Sequence, residues 1–229
     1  MQTKMKGIVL AMVLFLCAGN VWASVSLTSA TFDAGSVYKA QTAYDHRNYE
    51  FNLSFSSPVE GVSSTFGYCA ELGQTFSADT QYQSAEISGN YLQAAWLIDK
   101  YSTYETTDTG FQGTTNRVTI SALQAAIWSV LGQSTQSRDY TPLKPNWLDR
   151  WWLGWDSVRV YNLYTAMLDD VSSISDFSGL DLESRFQLLT DGLSQDLIVR
   201  TSAVPLPGAA ILFGSGLLGL VGLRRRKIA

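Results

Sequence analysis

The sequence predicts an α+β fold, a β-sandwich or β-barrel with a helical insertion. The first part of the chain alternates apolar and polar residues, the middle places apolar residues at helical spacing, and the last part returns to strand-like runs. Alternation is typical of half-buried strands, and a spacing of three to four residues is typical of amphipathic helices. The order β, then α, then β favours a sheet domain that helices interrupt.

The first strands are predicted by alternation. Residues 25–28 and 49–55 alternate apolar and polar side chains, as strands with one buried face do. The second of these runs is the clearer one. Residues 64–68 predict a further short strand, with Cys69 at its end.

Three helices are predicted in the middle of the chain. Residues 90–101 have helical spacing and helix-favouring composition. Ser121 is expected to cap the start of a second helix, and Gly132 is expected to end it. The apolar stripe of that helix consists of Leu123, Ala126, Ile127, Val130 and Leu131. Residues 159–171 predict the third helix.

The last part of the domain returns to strands. Residues 185–189 and 197–199 are rich in large apolar side chains. Asp191 and Gly192 supply a turn between them. These two strands complete the predicted sheet.

The N-terminus has the composition of a secretory signal peptide. A basic start precedes an apolar run over residues 8–16, and Ala23 offers a small residue for cleavage. We therefore predict a signal peptide over residues 1–23 and an exported domain over residues 24–201. A lipoprotein signal would instead use Cys17, but the leucine before it is too large for that kind of signal.

The C-terminal region, residues 202–229, has three consecutive parts. A proline motif comes first, an uncharged run over residues 206–223 follows, and a basic cluster comes near the end. The motif is Val204, Pro205, Leu206 and Pro207, and the cluster is Arg224, Arg225, Arg226 and Lys227. A run of about 18 residues can form a transmembrane helix, and the cations after it predict a cytoplasmic end.

This ending closely resembles the PEP-CTERM sorting signal of Gram-negative bacteria, in the variant that begins with Val-Pro-Leu-Pro. The resemblance implies recognition by an exosortase while the inner membrane holds the chain through residues 206–223. It also implies delivery to the cell surface or to the extracellular polysaccharide matrix of a biofilm. A GPI-anchor signal would end in apolar residues, so the basic tail argues against that alternative.

The exported domain is strongly acidic. All 20 acidic residues lie in residues 24–201, whereas six of the 16 basic residues lie in the two terminal regions. Ten basic residues remain, so the domain carries a net charge of −10. Such a charge repels nucleic acids and anionic lipid head groups. No nucleic-acid partner is expected.

Residues 24–201 contain one cysteine, Cys69. Exported proteins usually pair their thiols, so an unpaired one suggests a reactive group or a bridge between molecules. Gln124 offers a carboxamide that this thiol could attack, with loss of ammonia and formation of an internal thioester. A fold that holds two such groups together supplies an advantage worth roughly 7–11 kcal/mol. Tyr68 and Trp128, the latter one helical turn after Gln124, are candidates for shielding the bond from water.

This pattern resembles bacterial thioester domains. Tyr68 and Cys69 match the family's Tyr-Cys motif, and residues 123–128, Leu-Gln-Ala-Ala-Ile-Trp, are similar to its glutamine motif. The resemblance covers roughly residues 49–132, with fainter similarity over residues 195–199, although a leucine stands where the family usually has threonine. It implies a β-rich domain with a helical lobe, a Cys–Gln cross-link and adhesion through capture of a partner's amine. Such a protein makes one bond per molecule, so it is not expected to be an enzyme or to need a cofactor.

Other interpretations of the same residues remain. Cys69 is also compatible with an inert, buried side chain, and Glu71 shortly after it is a departure from the family's motif. Ser121 and Gln124 fit a capping box, in which Gln124 would bond back to the start of its own helix. Gln93 lies in a near-repeat of the glutamine motif. We disfavour it because it belongs to the earlier helix.

Four tryptophans crowd one short segment: Trp147, Trp151, Trp152 and Trp155. We expect them to be buried against the third helix, since large aromatic side chains supply much core area. If exposed, they could stack on sugar rings. The protein would then be a non-covalent structural or glycan-binding component of the extracellular matrix, which is the alternative to covalent adhesion.

The only histidine, His46, gives little support for a hydrolase or a metal site. A Cys–His hydrolase would need this side chain beside Cys69, and nothing in the sequence places it there. One histidine and one thiol do not make a zinc site.

Overall fold

The protein is described by a computed structural model that covers residues 24–42, 45–59, 62–77, 80–102, 116–133 and 139–201. The predicted signal peptide and the predicted C-terminal sorting region lie outside the described residues. Within the part of the chain that is described, no helix has the length and apolar character needed to cross a bilayer.

The described elements follow the predicted order. The strands are β1 (Ser24–Ala34), β2 (Tyr38–Lys39), β3 (Asp45–His46), β4 (Tyr49–Val59), β5 (Val62–Cys69), β6 (Gln81–Glu86), β7 (Phe186–Thr190) and β8 (Leu197–Arg200). The helices are α1 (Asn90–Tyr101), α2 (Asn116–Val130), α3 (Trp147–Trp152) and α4 (Gly154–Ser172), followed by a short 3₁₀ helix (Ser178–Leu180).

Six strands close into an antiparallel barrel in the order β1, β4, β5, β8, β7, β6. β2 and β3 form a separate two-stranded sheet. The helices come between β6 and β7 in the chain. The predicted α+β class is therefore confirmed, and the sheet is a barrel rather than a sandwich.

Two clusters of buried residues lie on the two sides of the barrel wall. The interior cluster draws on all six barrel strands and on α2, with the members Val25, Leu27, Phe51, Leu53, Phe55, Val59, Cys69, Tyr82, Trp128, Leu189, Leu197 and Val199. The second cluster joins the helices to outward-facing strand residues such as Tyr68 and Ile198. Successive strand residues point to opposite faces, so neighbours in β5 and β8 belong to different clusters.

The start of α2 differs from the prediction. This helix begins at Asn116, so the expectation that Ser121 caps it is wrong. Every residue from Val118 to Trp128 is buried. A helix surrounded by protein is extended by its packing contacts, and a local capping signal does not decide where it begins. Gly132, with a φ of 66°, follows the end of the helix as predicted.

Candidate functional site

Cys69 lies at the end of β5, and its side chain points into the barrel interior. Its partner across the ladder is Leu197 of β8, and its neighbours in the interior cluster include Tyr82 and Trp128. The cysteine is buried and forms no disulfide. Burial raises the pKa of the thiol well above its usual range. The folded pocket therefore favours the protonated sulfur.

The Gln124 carboxamide pairs with the main chain of Cys69 through two hydrogen bonds. The Cys69 N–H donates to Gln124 Oε1 at 3.1 Å, and Gln124 Nε2 donates to the Cys69 carbonyl at 2.8 Å. Gln124 is 1% exposed. The carboxamide bonds to β5 and not to the start of its own helix, so the capping-box interpretation is wrong. The structure places the thiol-bearing residue and the glutamine in direct contact.

Contacts of Ser121, about one turn before Gln124, fix the position of α2 relative to the strands. Ser121 Oγ donates to the Ser36 carbonyl at 2.8 Å, and Asn48 Nδ2 donates to the Ser121 carbonyl at 3.2 Å. The Ser36 N–H donates to the Arg117 carbonyl at 2.9 Å. Gly35 lies against the same turn, where a Cβ would overlap Ser121 Oγ. Ser121 thus docks the helix onto the segment between β1 and β2.

The arrangement contains parts of an acyl-transfer site. Attack of the Cys69 sulfur on the Gln124 carboxamide carbon would develop negative charge on Oε1, to which the Cys69 N–H already donates. A preplaced main-chain donor of this kind stabilises an oxyanion. The buried pocket disfavours the thiolate.

The two predicted shielding residues occupy different sides of the barrel wall. Trp128 belongs to the interior cluster with Cys69 and packs on Tyr140 with ring centroids 5.5 Å apart. Its indole Nε1 is buried with no hydrogen-bond partner among the described residues. Tyr68 faces the helices, and its hydroxyl donates to the Glu50 carboxylate. Trp128 is thus placed to exclude water from the thiol, whereas Tyr68 is not.

Polar residues just after Cys69 and just before β8 contact each other, and the sequence analysis gave them no role. Gln195 Nε2 donates to the Glu71 carbonyl at 2.7 Å, and the Ala70 N–H donates to the Asp196 carbonyl at 2.8 Å. Burial raises the pKa of Glu71, and the Asp196 carboxylate adds to the shift. The signals in the sequence were the departure from the family's motif at Glu71 and the fainter family similarity over residues 195–199. Local pattern could not reveal the contact between Glu71 and Gln195, which are 124 residues apart.

The remaining sequence candidates lie apart from Cys69. His46 Nε2 is 3.1 Å from Thr42 Oγ1, and its ring packs on Tyr140 at a centroid distance of 4.4 Å. Gln93 is half-buried on α1, whereas the carboxamide that reaches the thiol residue is that of Gln124. Across the described ranges, no three potential metal ligands form a cluster.

The tryptophan-rich segment is exposed, so its predicted burial is wrong. Trp147, Trp151, Trp152 and Trp155 are between 65% and 86% exposed. The buried residue of α3 is Asp149, whose carboxylate pairs with Lys39 at 3.3 Å. α4 is seated by Val160, Leu163 and Met167 among others. A polar contact holds α3 and buried aliphatic residues pack α4 against the domain. The four indoles are therefore not part of the core.

Neither a family model nor a curated protein matches the chain. Solved structures similar to it include the N-terminal thioester domain of fibronectin-binding protein SfbI from Streptococcus pyogenes, at 15% identity and a TM-score of 0.41. That alignment covers 66% of this chain and 85% of the other. The N-terminal domain of the Streptococcus pyogenes pilus tip adhesin Cpa aligns at 17% identity with a TM-score of 0.42, over 67% of this chain and 83% of the other. Likeness of this degree transfers no function.

Proposed function

We propose that the protein is an exported adhesion module that forms an internal thioester between Cys69 and Gln124 and captures a partner's amine with it. The main support is the pair of hydrogen bonds that hold the Gln124 carboxamide against Cys69. Both residues are buried, so bulk water is kept from the bond that would form. Groups held together in this way react as if their concentration were far above that in solution.

Formation of the thioester exchanges one bond for another. The Cys69 sulfur bonds to the Gln124 carbonyl carbon, the bond from that carbon to nitrogen breaks, and the thiol proton leaves with the nitrogen as ammonia. In the capture step, the amine nitrogen bonds to the same carbon and the carbon–sulfur bond breaks. A proton from the amine then passes to the sulfur.

A protein amine suits the charge of this domain as the captured group. A lysine amine is cationic at neutral pH, and the domain's net charge of −10 supplies a long-range attraction for a basic partner. The link forms once per molecule, so the protein acts stoichiometrically and not as a turnover enzyme.

Intact-mass spectrometry of freshly purified protein tests the thioester. We expect the wild type to be lighter by one ammonia than its sequence requires, and methylamine should add to it and expose one titratable thiol. Cys69→Ala should have the full mass of its sequence and should not react with methylamine. Gln93→Ala, the matched control, should react as the wild type does. Finding a full mass and a titratable thiol in untreated wild type would exclude the proposed bond.

The export route is the second part of the proposal. Residues 1–23 would direct export, residues 206–223 would tether the chain to the inner membrane, and an exosortase would deliver residues 24–201 to the cell surface or matrix. Replacing Pro205 and Pro207 by alanine should leave full-length protein in the inner-membrane fraction, because the proline motif is the part that the resemblance assigns to recognition. Cell fractionation with immunoblotting measures this. Unchanged surface delivery of the double variant would contradict the route.

A further inference from the structure

We infer that the exposed tryptophans form a second, reversible binding site, and that its ligand is an anionic polysaccharide. The site, here named the tryptophan surface, consists of Trp147, Trp151, Trp152 and Trp155 with Leu148, Lys144 and Arg150. It shares no residue with the Cys69–Gln124 site. The inference therefore does not depend on thioester formation.

The apolar area of the tryptophan surface is as large as the largest apolar patch of a typical monomer. The four indoles are between 65% and 86% exposed, and Leu148 is 46% exposed. Their combined exposed area is on the order of 600 Å², since a large aromatic side chain covers up to about 250 Å². The largest apolar patch on a typical monomer measures about 300–600 Å² and often marks an interaction site.

The tryptophan surface is held rigidly. The Asn146 side chain accepts from the N–H groups of Leu148 and Asp149, and the Asp149 carboxylate accepts in return from the Asn146 N–H. Asp149 also pairs with Lys39. These contacts fix the backbone of α3 relative to the domain, and Trp147 and Trp151 lie on the side of the helix away from Asp149. A preorganised surface loses less entropy when it binds a ligand.

The charge of the tryptophan surface is opposite to that of the domain. Lys144 and Arg150 have no carboxylate partner among the described residues, and the Arg150 guanidinium lies 5.3 Å from the Trp155 ring centroid. The nearby carboxylate of Asp149 is engaged by Lys39. The surface is therefore locally cationic on a domain with a net charge of −10. Such a patch selects an anionic ligand.

Sugar rings match the aromatic part of this surface. No two of the four indoles stack on each other in the described structure. The Arg150 guanidinium lies over one face of Trp155, and no ring or cation contact within the described structure covers Trp147, Trp151 or Trp152. A pyranose ring presents an apolar face of C–H bonds that covers an indole, while its hydroxyl groups stay in water. A polysaccharide with carboxylate-bearing sugars would contact several indoles in succession and pair with Lys144 and Arg150.

The location of the tryptophan surface disfavours a lipid membrane as the ligand. The surface lies at the start of α4, a helix of 19 residues and therefore about 28 Å long. At the far end of α4, Asp170 pairs with Lys100 at 2.7 Å. The neighbouring Asp99 pairs with Arg185, whose carbonyl accepts from the Thr201 N–H. Thr201 thus lies near the end of α4 that is remote from the tryptophans, and the membrane tether proposed above would follow it in the chain.

Binding of the full-length protein to alginate and polygalacturonate, two polyuronates, tests the inference. We expect the dissociation constant to rise about tenfold or more in the double variant Trp151→Ala/Trp152→Ala, as for a central aromatic contact. Arg150→Gln should weaken binding several-fold, and added salt should weaken binding of the wild type. Leu193→Ala, which alters an exposed apolar residue elsewhere, should bind as the wild type does.

Three outcomes would overturn the inference. The first is failure of the wild type to bind either polyuronate, and binding to phosphatidylglycerol vesicles in that case would make this a lipid-binding surface. The second is unchanged affinity of the double tryptophan variant. The third is equal affinity for neutral dextran and the polyuronates, which would show that the ligand is not selected by its negative charge. Thermal unfolding of each variant verifies that the exposed substitutions leave the fold intact.

Discussion

In a Cys69→Ala background, where no cross-link forms and Gln124 keeps its nitrogen, Gln124→Ala is expected to lower the free energy of unfolding by about 3–5 kcal/mol. The substitution leaves the N–H and carbonyl of residue 69 without the partners that they have at 3.1 and 2.8 Å. It also opens a cavity between α2 and the barrel. Gln93→Ala in the same background is the matched control, because it removes the same atoms from a half-buried position on α1. Its cost should stay within about 0.5 kcal/mol.

Urea unfolding of the two glutamine variants measures this difference. Equal stabilities for Gln124→Ala and Gln93→Ala would show that the carboxamide does not fasten α2 to β5. The contact between Gln124 and Cys69 would then contribute nothing to the free energy of unfolding. The main support for a thioester would be lost with it.

Cys69→Ala separates the cross-link from these hydrogen bonds. The groups that bond to Gln124 are main-chain atoms of Cys69, so they survive the substitution. Without a thioester, loss of one buried sulfur should cost only about 1 kcal/mol. A thioester between residues 69 and 124 closes a loop of about 55 residues, and its loss should cost roughly 4 kcal/mol through chain entropy.

The elements with strong periodicity were predictable from the sequence. The helix predicted over residues 90–101 has the bounds of α1, and the alternating run 49–55 lies within β4. β6 was not predicted, because Gln81–Glu86 contains a single large apolar residue, Tyr82. Its pairing with β1 and β7 defines it as a strand. Such pairing depends on barrel closure and leaves little trace in local pattern.

The chemistry of the candidate site was easier to predict than its geometry. Cys69 was predicted as a site residue because it is the one cysteine of residues 24–201. Gln124 was predicted because it lies in a recognisable motif. The sequence could not show that the carboxamide would pair with the cysteine's main chain, since the two residues are 55 positions apart. That contact requires β5 to end beside α2, and α2 to be docked through Ser121.

The tryptophan segment shows the limit of reasoning from residue type. Aromatic side chains are usually buried, so burial was expected for Trp151 and its neighbours. The polar Asp149, with Lys39 and the Asn146 cap, provides the anchor instead. When polar contacts hold a short helix against the domain, its apolar side chains are not needed in the core and can be exposed to solvent. The exposed indoles thus follow from a contact that composition does not reveal.

Gly35→Ala is expected to destabilise the fold by about 2–4 kcal/mol and to reduce the yield of any cross-link. An added Cβ would overlap Ser121 Oγ and lie 2.9 Å from the Asn48 carbonyl oxygen. Both groups belong to the contact that docks α2, so relief of the overlap must move the helix. The Gln124 carboxamide, about one turn further on, would then be displaced from Cys69.

Gly179→Ala provides the control for this effect, because a Cβ at that position meets nothing within 4 Å. It should change the unfolding free energy by no more than about 0.5 kcal/mol. Urea unfolding measures the stability of each variant, and intact mass of the same samples measures the fraction that is cross-linked. Together they test whether the position of α2 controls cross-linking. A Gly35→Ala protein with wild-type stability and full cross-linking would mean that the Ser121 contact does not position Gln124. The glutamine would then be held by its own hydrogen bonds to Cys69 and by the packing of Trp128 in the barrel interior.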